Sequence, residues 1–202
     1  MKLYHAPASP FVRKVMVLLH EAKVSDRVTL VPASGTPLDP GTLPIDRNPL
    51  GKIPALERPD GPTLYDSRVI TRYLDDLLKA GLYPAAPRLW DTLVIEATAD
   101  GICEAAVLMR YEMHVRPAAT RSAEWADAQW QKITRALDAL EDRWISHLSG
   151  PLDMGQIAVG CALGYLDLRH AEREWRSTHP ALADWYAAFS ARPSMQATLP
   201  TA

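Results

Sequence analysis

Cysteine is scarce in this chain of 202 residues. Only Cys103 and Cys161 are present, and neither belongs to a CxxC pair. The six histidines show no metal-ligand spacing such as HxxxH. The sequence therefore indicates no disulfide framework, no zinc site and no metal catalysis. Both cysteines lie in apolar surroundings of helical pattern, which predicts small buried core residues.

An excess of charge of one sign is also missing. The chain has 22 basic and 24 acidic side chains, and no run of lysines or arginines. We therefore expect no nucleic-acid partner, because such partners require a basic surface. No apolar stretch reaches the roughly 18 residues of a membrane span, and the start MKLYHAPASP contains prolines where a signal peptide needs an unbroken hydrophobic segment. We expect a cytoplasmic protein with no membrane association.

The residues that are abundant are distributed unevenly. Hydrophobic residues make up 48% of the chain, enough for a sizeable core. Twelve of the seventeen prolines come at or before Pro87, whereas all six tryptophans follow Leu89. This asymmetry predicts two domains, residues 1–81 and 88–202, joined by a linker at 82–87. No internal repeat or low-complexity tract is present.

The first domain has the pattern of a small mixed α/β fold. Short apolar segments at 3–5, 28–31, 55–58 and 63–65 predict strands, and the turn Pro59-Asp60-Gly61-Pro62 predicts that the last two form a hairpin. Apolar residues at helical spacing predict one helix after the first strand and another from Asp66-Ser67 to Gly81. The predicted order is βαβ followed by ββα.

Beyond the linker every signal is helical. Periodicity predicts long helices over about 89–115 and 122–147, the second broken by Gly150-Pro151. Asp153 and Gln156 resemble a capping box that opens a third, apolar and buried helix. His179-Pro180 begins a short last helix, and Arg192-Pro193 ends it. The second domain is therefore predicted to be all α.

Three motifs stand out in the first domain: Ser9-Pro10-Phe11-Val12-Arg13, the segment NPLGKIPAL at 48–56, and Asp66-Ser67. Their order and spacing resemble those of the glutathione site in the glutathione transferase superfamily. The segments at 161–167 and 179–182 are similar to the matching helices of bacterial members. The resemblance covers nearly the whole chain. It implies a thioredoxin-like first domain, an all-helical second domain, glutathione as co-substrate, and a homodimer in which each first domain meets the partner's helical domain.

Ile53-Pro54 is the first part of the implied site. The resemblance implies a cis peptide bond here, with the main chain of Ile53 pairing with the cysteinyl unit of glutathione as an added strand. Lys52 reaches the glycyl carboxylate in this interpretation, or is a solvated loop lysine. Phe11 belongs to the same implied glutathione-binding set. The alternative is an ordinary loop proline.

Asp66-Ser67 lies where a strand ends and a helix begins. Free main-chain donors and the helix dipole favour an anion there, and the γ-glutamyl carboxylate of glutathione fits. Ser67 then holds that carboxylate and Asp66 pairs with the ligand's ammonium group. Plain helix capping is the alternative, and it is compatible with ligand binding.

Ser9 is the candidate catalytic residue. A hydroxyl near a helix N-terminus can hydrogen-bond the glutathione sulfur as a thiolate and lower the thiol pKa. The alternative is a structural N-cap before Pro10. Tyr4 is a second candidate activator, although its place inside the first strand favours a packing role. The first domain has no cysteine, which argues against glutaredoxin-like thiol exchange.

The second substrate is expected between the glutathione loop and the long helix after the linker. Met109, Arg110, Tyr111 and His114 are the candidates for lining its site. The alternatives are that Met109 belongs to the core and that Arg110 or His114 is solvated or paired. An anionic electrophile is favoured if Arg110 faces the cleft.

The function implied by the resemblance is glutathione transfer to a small hydrophobic or halogenated electrophile, a reaction of detoxification. Isomerisation, dehalogenation, peroxide reduction and β-ether cleavage use the same glutathione site within the family, so the resemblance does not select the reaction. A non-catalytic glutathione-binding or regulatory protein of the same fold is the alternative.

Overall fold

A computed structural model describes residues 1–201 of the chain. The first domain contains β1 (Lys2–His5), α1 (Pro10–Glu21), β2 (Thr29–Pro32), β3 (Ala55–Arg58), β4 (Gly61–Leu64) and α2 (Ser67–Leu78). The four strands form one sheet in the order β2-β1-β3-β4. β1 and β2 are parallel, whereas β3 is antiparallel to both of its neighbours. The predicted βαβ–ββα order and mixed sheet are confirmed.

The hairpin differs slightly from its predicted bounds. β4 begins at Gly61, two residues before the predicted strand, and Arg58 pairs with Gly61. Pro59 and Asp60 alone make the turn, because a two-residue loop is enough to join antiparallel strands.

The second domain contains α3 (Arg88–His114), α4 (Ala123–Ala139), α5 (Ile145–Leu148), α6 (Met154–Arg169), α7 (Pro180–Ser190) and α8 (Pro193–Gln196). α6 is the central helix, since every residue from Met154 to Leu166 is buried. Its capping box is present: the Asp153 side chain accepts from the Gln156 amide at 3.2 Å, and the Gln156 side chain accepts from the Asp153 amide at 2.9 Å. No helix within residues 1–201 is long and apolar enough to cross a membrane.

Two helical bounds depart from the predictions. The helix predicted over 122–147 is regular only to Ala139, widens into a π-helical turn at Leu140–Trp144, and ends as α5. Arg192-Pro193 ends α7 as predicted but also starts α8, with Pro193 in the first helical turn. Proline is favoured at that position because its missing N–H needs no partner there.

Both cysteines are free and buried. Burial is the main reason that the pKa of Cys103 lies well above its usual value, and burial raises the pKa of the Cys161 thiol to about 11. They therefore stay protonated at neutral pH, and their burial confirms the prediction of core residues.

Candidate functional site

The sheet brings the ends of three strands to one side of the first domain. Tyr4, near the end of β1, pairs with Ala55 at the start of β3. Leu64, at the end of β4, pairs with Leu56 of β3. The segments that follow β1, precede β3 and follow β4 therefore meet at this side. These segments carry Ser9, Ile53-Pro54 and Asp66-Ser67.

Ser9 is the N-cap of α1, and its Oγ accepts a hydrogen bond from the Val12 amide at 3.3 Å. A serine hydroxyl has two lone pairs and one proton, so this cap leaves the proton available for another acceptor. The first turn of α1 contains no acidic residue that would oppose an anion at its N-terminus. Phe11, in the same turn, is half-buried against the core. Ser9 can thus cap the helix and donate to a sulfur.

The loop before β3 is shaped by Asn48. This buried side chain donates from Nδ2 to the Lys52 carbonyl at 2.8 Å and accepts at Oδ1 from the Leu50 amide at 3.1 Å. Gly51 has a φ of +59°, a backbone conformation that glycine adopts without steric cost. Lys52 is exposed, Ile53 is half-buried and Pro54 is buried. The Ile53–Pro54 bond is cis, as the resemblance implied. Asn48 was part of a predicted motif but had no predicted role, although asparagine in a loop commonly accepts from the backbone amide two residues on, as it does here from Leu50.

Asp66 and Ser67 have separate positions at the start of α2. Asp66 is the N-cap and accepts from the Arg68 amide at 3.0 Å, while Ser67 is the first helical residue and is buried. The Ser67 amide is among the donors that an α-helix leaves without an intrahelical partner. Asp66 itself is exposed. A free amide beside an accessible carboxylate suits a ligand that carries a carboxylate and an ammonium group.

Behind this position lies a buried group of charges, which we call the Lys14 cluster and which consists of Lys14, Glu96 and Asp100. Lys14 of α1 donates from Nζ to Asp100 Oδ1 at 2.6 Å and to Glu96 Oε1 at 3.1 Å, both on α3. Arg68 Nε lies 3.5 Å from Asp100 Oδ2, an atom with no hydrogen-bond partner in the described residues. The cluster therefore joins the two domains directly beneath the start of α2.

Burial and charge set the protonation states of the Lys14 cluster. Burial alone lowers the pKa of Lys14, but the charges of Asp100 and Glu96 outweigh it and the pKa is raised. Burial, helped by the like charge of Asp100, raises the pKa of Glu96. Lys14 thus lies on the face of α1 that meets the second domain. The paired acids were missed because apolar periodicity does not report on ion pairs across domains.

Tyr4 is already engaged in a side-chain hydrogen bond. Its hydroxyl donates to Glu57 Oε1 at 2.6 Å, and this bond is the main cause of the raised pKa of Tyr4. A phenol held in this way is a poor partner for a thiolate. The geometry therefore favours the packing role over the alternative role as activator.

A cavity of about 220 Å³ lies in the second domain, between the last turns of α3, the first turn of α4 and the C-terminal end of α6. Met109, Arg110 and His114 line it, together with Arg169 and His170. Tyr111, the fourth predicted residue, does not line the cavity, because it lies about 100° further around the helix from Arg110. Met109 is buried, whereas Arg110 and Tyr111 are half-buried and His114 is exposed.

One stripe of α3 connects the cavity region to the first domain. Residues 96, 100, 103, 107, 111 and 114 share this face at helical spacing. Tyr83, in the linker that follows α2, donates to Glu96, and Arg68, at the start of α2, contacts Asp100. The start of α2 therefore lies closer to the C-terminus of α3 than the linker does. Val107, Tyr111 and His114 continue the same face beyond Asp100. They therefore extend from the start of α2 toward the cavity.

The chain matches two family models, one described as the glutathione S-transferase N-terminal domain over residues 8–77 and one as the C-terminal domain over residues 123–188. A curated relative, the uncharacterized GST-like protein YibF of Escherichia coli K12, is 33% identical over 99% of this chain and 98% of its own. The chain belongs to the glutathione transferase superfamily.

Solved structures agree with this assignment. A glutathione transferase family member from Pseudomonas fluorescens Pf-5 with bound glutathione is 47% identical, covers 100% of this chain and 99% of its own, and superposes with a TM-score of 0.96. A second structure of a family member from that organism, with bound S-(propanoic acid)-glutathione, is 46% identical over 100% of both chains, with a TM-score of 0.90. The predicted fold class, a mixed-sheet domain followed by a helical domain, is confirmed.

Proposed function

We propose that this protein is a glutathione transferase that binds glutathione in its first domain, stabilises the thiolate, and transfers it to a small electrophile. The observation that carries the proposal is the meeting of Ser9, Ile53-Pro54 and Asp66-Ser67 at one side of the sheet. Binding of glutathione to the Pseudomonas fluorescens relative supports it.

Glutathione fits this arrangement as an extended peptide. Its cysteinyl unit pairs with the main chain of Ile53, in the manner of a strand added to a sheet edge. Its γ-glutamyl carboxylate takes the free Ser67 amide at the start of α2, and its ammonium group faces Asp66. Lys52, exposed at the end of the loop, lies on the side of the glycyl carboxylate, and Phe11 supports the turn that carries Ser9.

Ser9 then acts on the sulfur. Its Oγ holds the Val12 amide, so its proton is directed away from the helix and can be donated to the sulfur anion. Hydrogen bonding to the charged form lowers the thiol pKa, and the α1 dipole acts in the same direction. A larger thiolate fraction at neutral pH gives a better nucleophile, while Ser9 itself forms no covalent bond.

The second substrate approaches along the α3 face that runs from Val107 to His114. The relative bound to S-(propanoic acid)-glutathione supports a product whose new group is attached at sulfur. Val107, a partly buried apolar residue on this face, suits a small hydrophobic body on the electrophile.

Calorimetry with glutathione, ultraviolet titration of the bound thiol and a conjugation assay with a chloronitroaromatic electrophile test the proposal together. We expect binding below millimolar concentration, a thiol pKa lower than in free glutathione, and turnover. Binding without a lowered pKa or turnover would instead support the non-catalytic binding protein. Absence of binding would contradict both.

We also propose that the protein is a homodimer. Large apolar side chains are exposed on both domains, namely Val69 and Leu77 on α2 and Trp90, Val94 and Leu108 on α3. Pairing the first domain of one copy with the helical domain of the other covers both sets at once. Sedimentation equilibrium should give a mass twice that of the chain, and a monomer at micromolar concentration would contradict the proposal.

A further inference from the structure

Two arginines at the cavity between α3, α4 and α6 have no acidic partner. Arg110 and Arg169 line the cavity and are half-buried, and neither makes an ion pair or side-chain hydrogen bond with any residue from 1 to 201. The third arginine there, Arg173, is paired with Asp127 at 2.8 Å. Two half-buried guanidinium groups are thus left to be satisfied by water or by a ligand.

The remaining acid of the cavity does not neutralise them. Glu172 is largely exposed, and its ion-pair contact is the Nδ1 atom of His170 at 3.9 Å. His170 in turn is held by the Ala106 carbonyl at 3.0 Å from its Nε2. The unpaired arginines and Glu172 together leave a local excess of one positive charge, which matches a monoanion.

The neighbouring titratable groups are arranged consistently with a positive site. Partial desolvation, and then the charges of Arg110, Arg121 and Arg169, lower the pKa of His114. Burial raises the pKa of Tyr165 to about 12, so this phenol stays protonated. Tyr165 as a whole is 6% exposed, and its hydroxyl makes no hydrogen bond within residues 1–201. A neutral imidazole and a protonated phenol can both remain beside an anion at neutral pH.

The position of Arg110 along α3 can be compared with that of the proposed glutathione site. Arg110 lies on α3 next to the stripe that runs from Asp100 through Val107 to His114, and Asp100 touches Arg68 at the start of α2. Arg110 therefore lies further toward the C-terminus of α3 than the contact with the start of α2, and Arg169 lies beside it at the cavity. A molecule held at the sulfur and extending in this direction would approach the two guanidinium groups.

We infer that the electrophile of this protein carries a carboxylate, which Arg110 and Arg169 bind while the reactive carbon faces the thiolate near Ser9. This inference rests on the proposed function and specifies its substrate class as small electrophilic acids. Carboxylates suit the site because a guanidinium group offers paired N–H donors to the two carboxylate oxygens. The apolar side chains nearby then contact the body of the acid.

The first test is a binding experiment that needs no turnover. Calorimetry compares S-(2-carboxyethyl)glutathione with S-(2-carbamoylethyl)glutathione, which has the same shape but carries a neutral amide. We expect the carboxylate to bind about tenfold more tightly to the unmodified protein, since charge-assisted hydrogen bonds are stronger than neutral ones. Equal affinities would overturn the inference. Unmodified glutathione, titrated in the same series, tests the proposed glutathione site separately.

Variants then locate the preference. Arg110→Gln and Arg169→Gln should each reduce the carboxylate-to-amide affinity ratio to within about threefold of unity. Arg135→Gln removes the same charge from an exposed position on α4 and should leave the ratio unchanged. A ratio that persists in both cavity variants would overturn the assignment to these arginines.

Turnover gives an independent measurement. With 4-chloro-3-nitrobenzoate, the thiolate forms a C–S bond at the carbon that bears chlorine, and chloride leaves with the electron pair of the broken C–Cl bond. The kcat/KM values for this acid and for 4-chloro-3-nitrobenzamide are each divided by the uncatalysed rate. The resulting acid-to-amide ratio should be about ten in the unmodified protein, and it should fall in both cavity variants. Turnover of the amide alone would overturn the inference while leaving the transferase proposal intact.

Discussion

The two ends of α3 treat charge in opposite ways. Near the linker, Glu96 and Asp100 are almost completely buried, and Lys14 of the first domain binds both. Toward the C-terminus of α3, Arg110 is half-buried beside Arg169, and neither has an acidic partner in residues 1–201. We call the first end closed, because its charges are paired within the protein, and the second end open, because its arginines are unpaired.

This difference separates structural charges from charges available to a ligand. Burying an ion is costly unless partners compensate, so the Lys14 cluster is stable only when all three members are present. A half-buried arginine keeps part of its hydration and persists without a partner, ready to bind an anion. The same helix can therefore fix the domains at one end and receive substrate at the other.

The largest expected effect comes from breaking the closed end. Lys14→Met leaves Glu96 and Asp100 buried without their shared cation, and we expect a loss of about 3–5 kcal/mol in the free energy of unfolding at neutral pH. Urea denaturation followed by circular dichroism measures it. Lys132→Met, at an exposed lysine of α4, is the control and should stay within about 0.5 kcal/mol of the unmodified protein. A loss below about 1 kcal/mol for Lys14→Met would contradict the structural role of the cluster.

The next largest expected effect is on the chemistry of the proposed glutathione site. Ser9→Ala removes the proposed donor to the sulfur, and we expect the pKa of bound glutathione to rise by about one unit and kcat/KM to fall about 10- to 100-fold. The change also removes an N-cap, at a cost of about 1 kcal/mol in stability. Ultraviolet titration of the bound thiol and steady-state kinetics measure the two chemical effects.

Ser122→Ala provides a matched control for the Ser9 change. Ser122 caps α4 by accepting from the Trp125 amide at 3.1 Å, so its loss should lower stability similarly without altering the thiol pKa. If Ser9→Ala behaves like Ser122→Ala in every measurement, Ser9 is a helix cap only.

Most of the first domain could be predicted from local patterns. Strand alternation, the Pro59-Asp60 turn and the helical spacing after Ser9 and Asp66 are short-range signals. The strands formed within two residues of their predicted bounds, whereas α2 ends at Leu78, three residues before the predicted Gly81. The capping box at Asp153 was equally local. The π-helical turn at Leu140–Trp144 had no such local signal, and its residues contact α7, which lies much further along the chain.

The glutathione motifs were readable for the same reason, since each is a few consecutive residues at the end of a strand or the start of a helix. The sequence did not predict the Lys14 cluster, nor whether Arg110 has an acidic partner. Lys14 meets partners more than 80 positions away, and whether Arg110 is paired depends on residues of α6 and on the turn that follows it. Ion pairing of this kind is set by the tertiary fold, which no window of sequence contains.

The smallest expected effect concerns another link between the domains, which is less buried than the Lys14 cluster but, unlike Arg110 and Arg169, is paired. Glu21, in the last turn of α1, accepts from Arg192 Nε at 3.0 Å and Nη2 at 3.0 Å, and from the Ser194 hydroxyl. Burial alone raises the pKa of Glu21, but these hydrogen bonds outweigh it and the pKa is lowered. The folded state therefore holds the carboxylate form more tightly than the unfolded chain does.

The sign of the pH dependence follows from that lowered pKa. The contribution of Glu21 to stability is fully present above its unfolded value of 4.5 and is lost as the pH falls through the lower folded value. Glu21→Gln should therefore be about 1 kcal/mol less stable than the unmodified protein at pH 7, and the difference should shrink toward zero at pH 3. Thermal unfolding at both pH values measures it, with Asp184→Asn at an exposed position on α7 as the control. If the stability difference is the same at pH 7 and pH 3, Glu21 joins the domains by packing and neutral hydrogen bonds rather than by its charge. The Lys14 cluster would then be the charged contact that stabilises the domain interface.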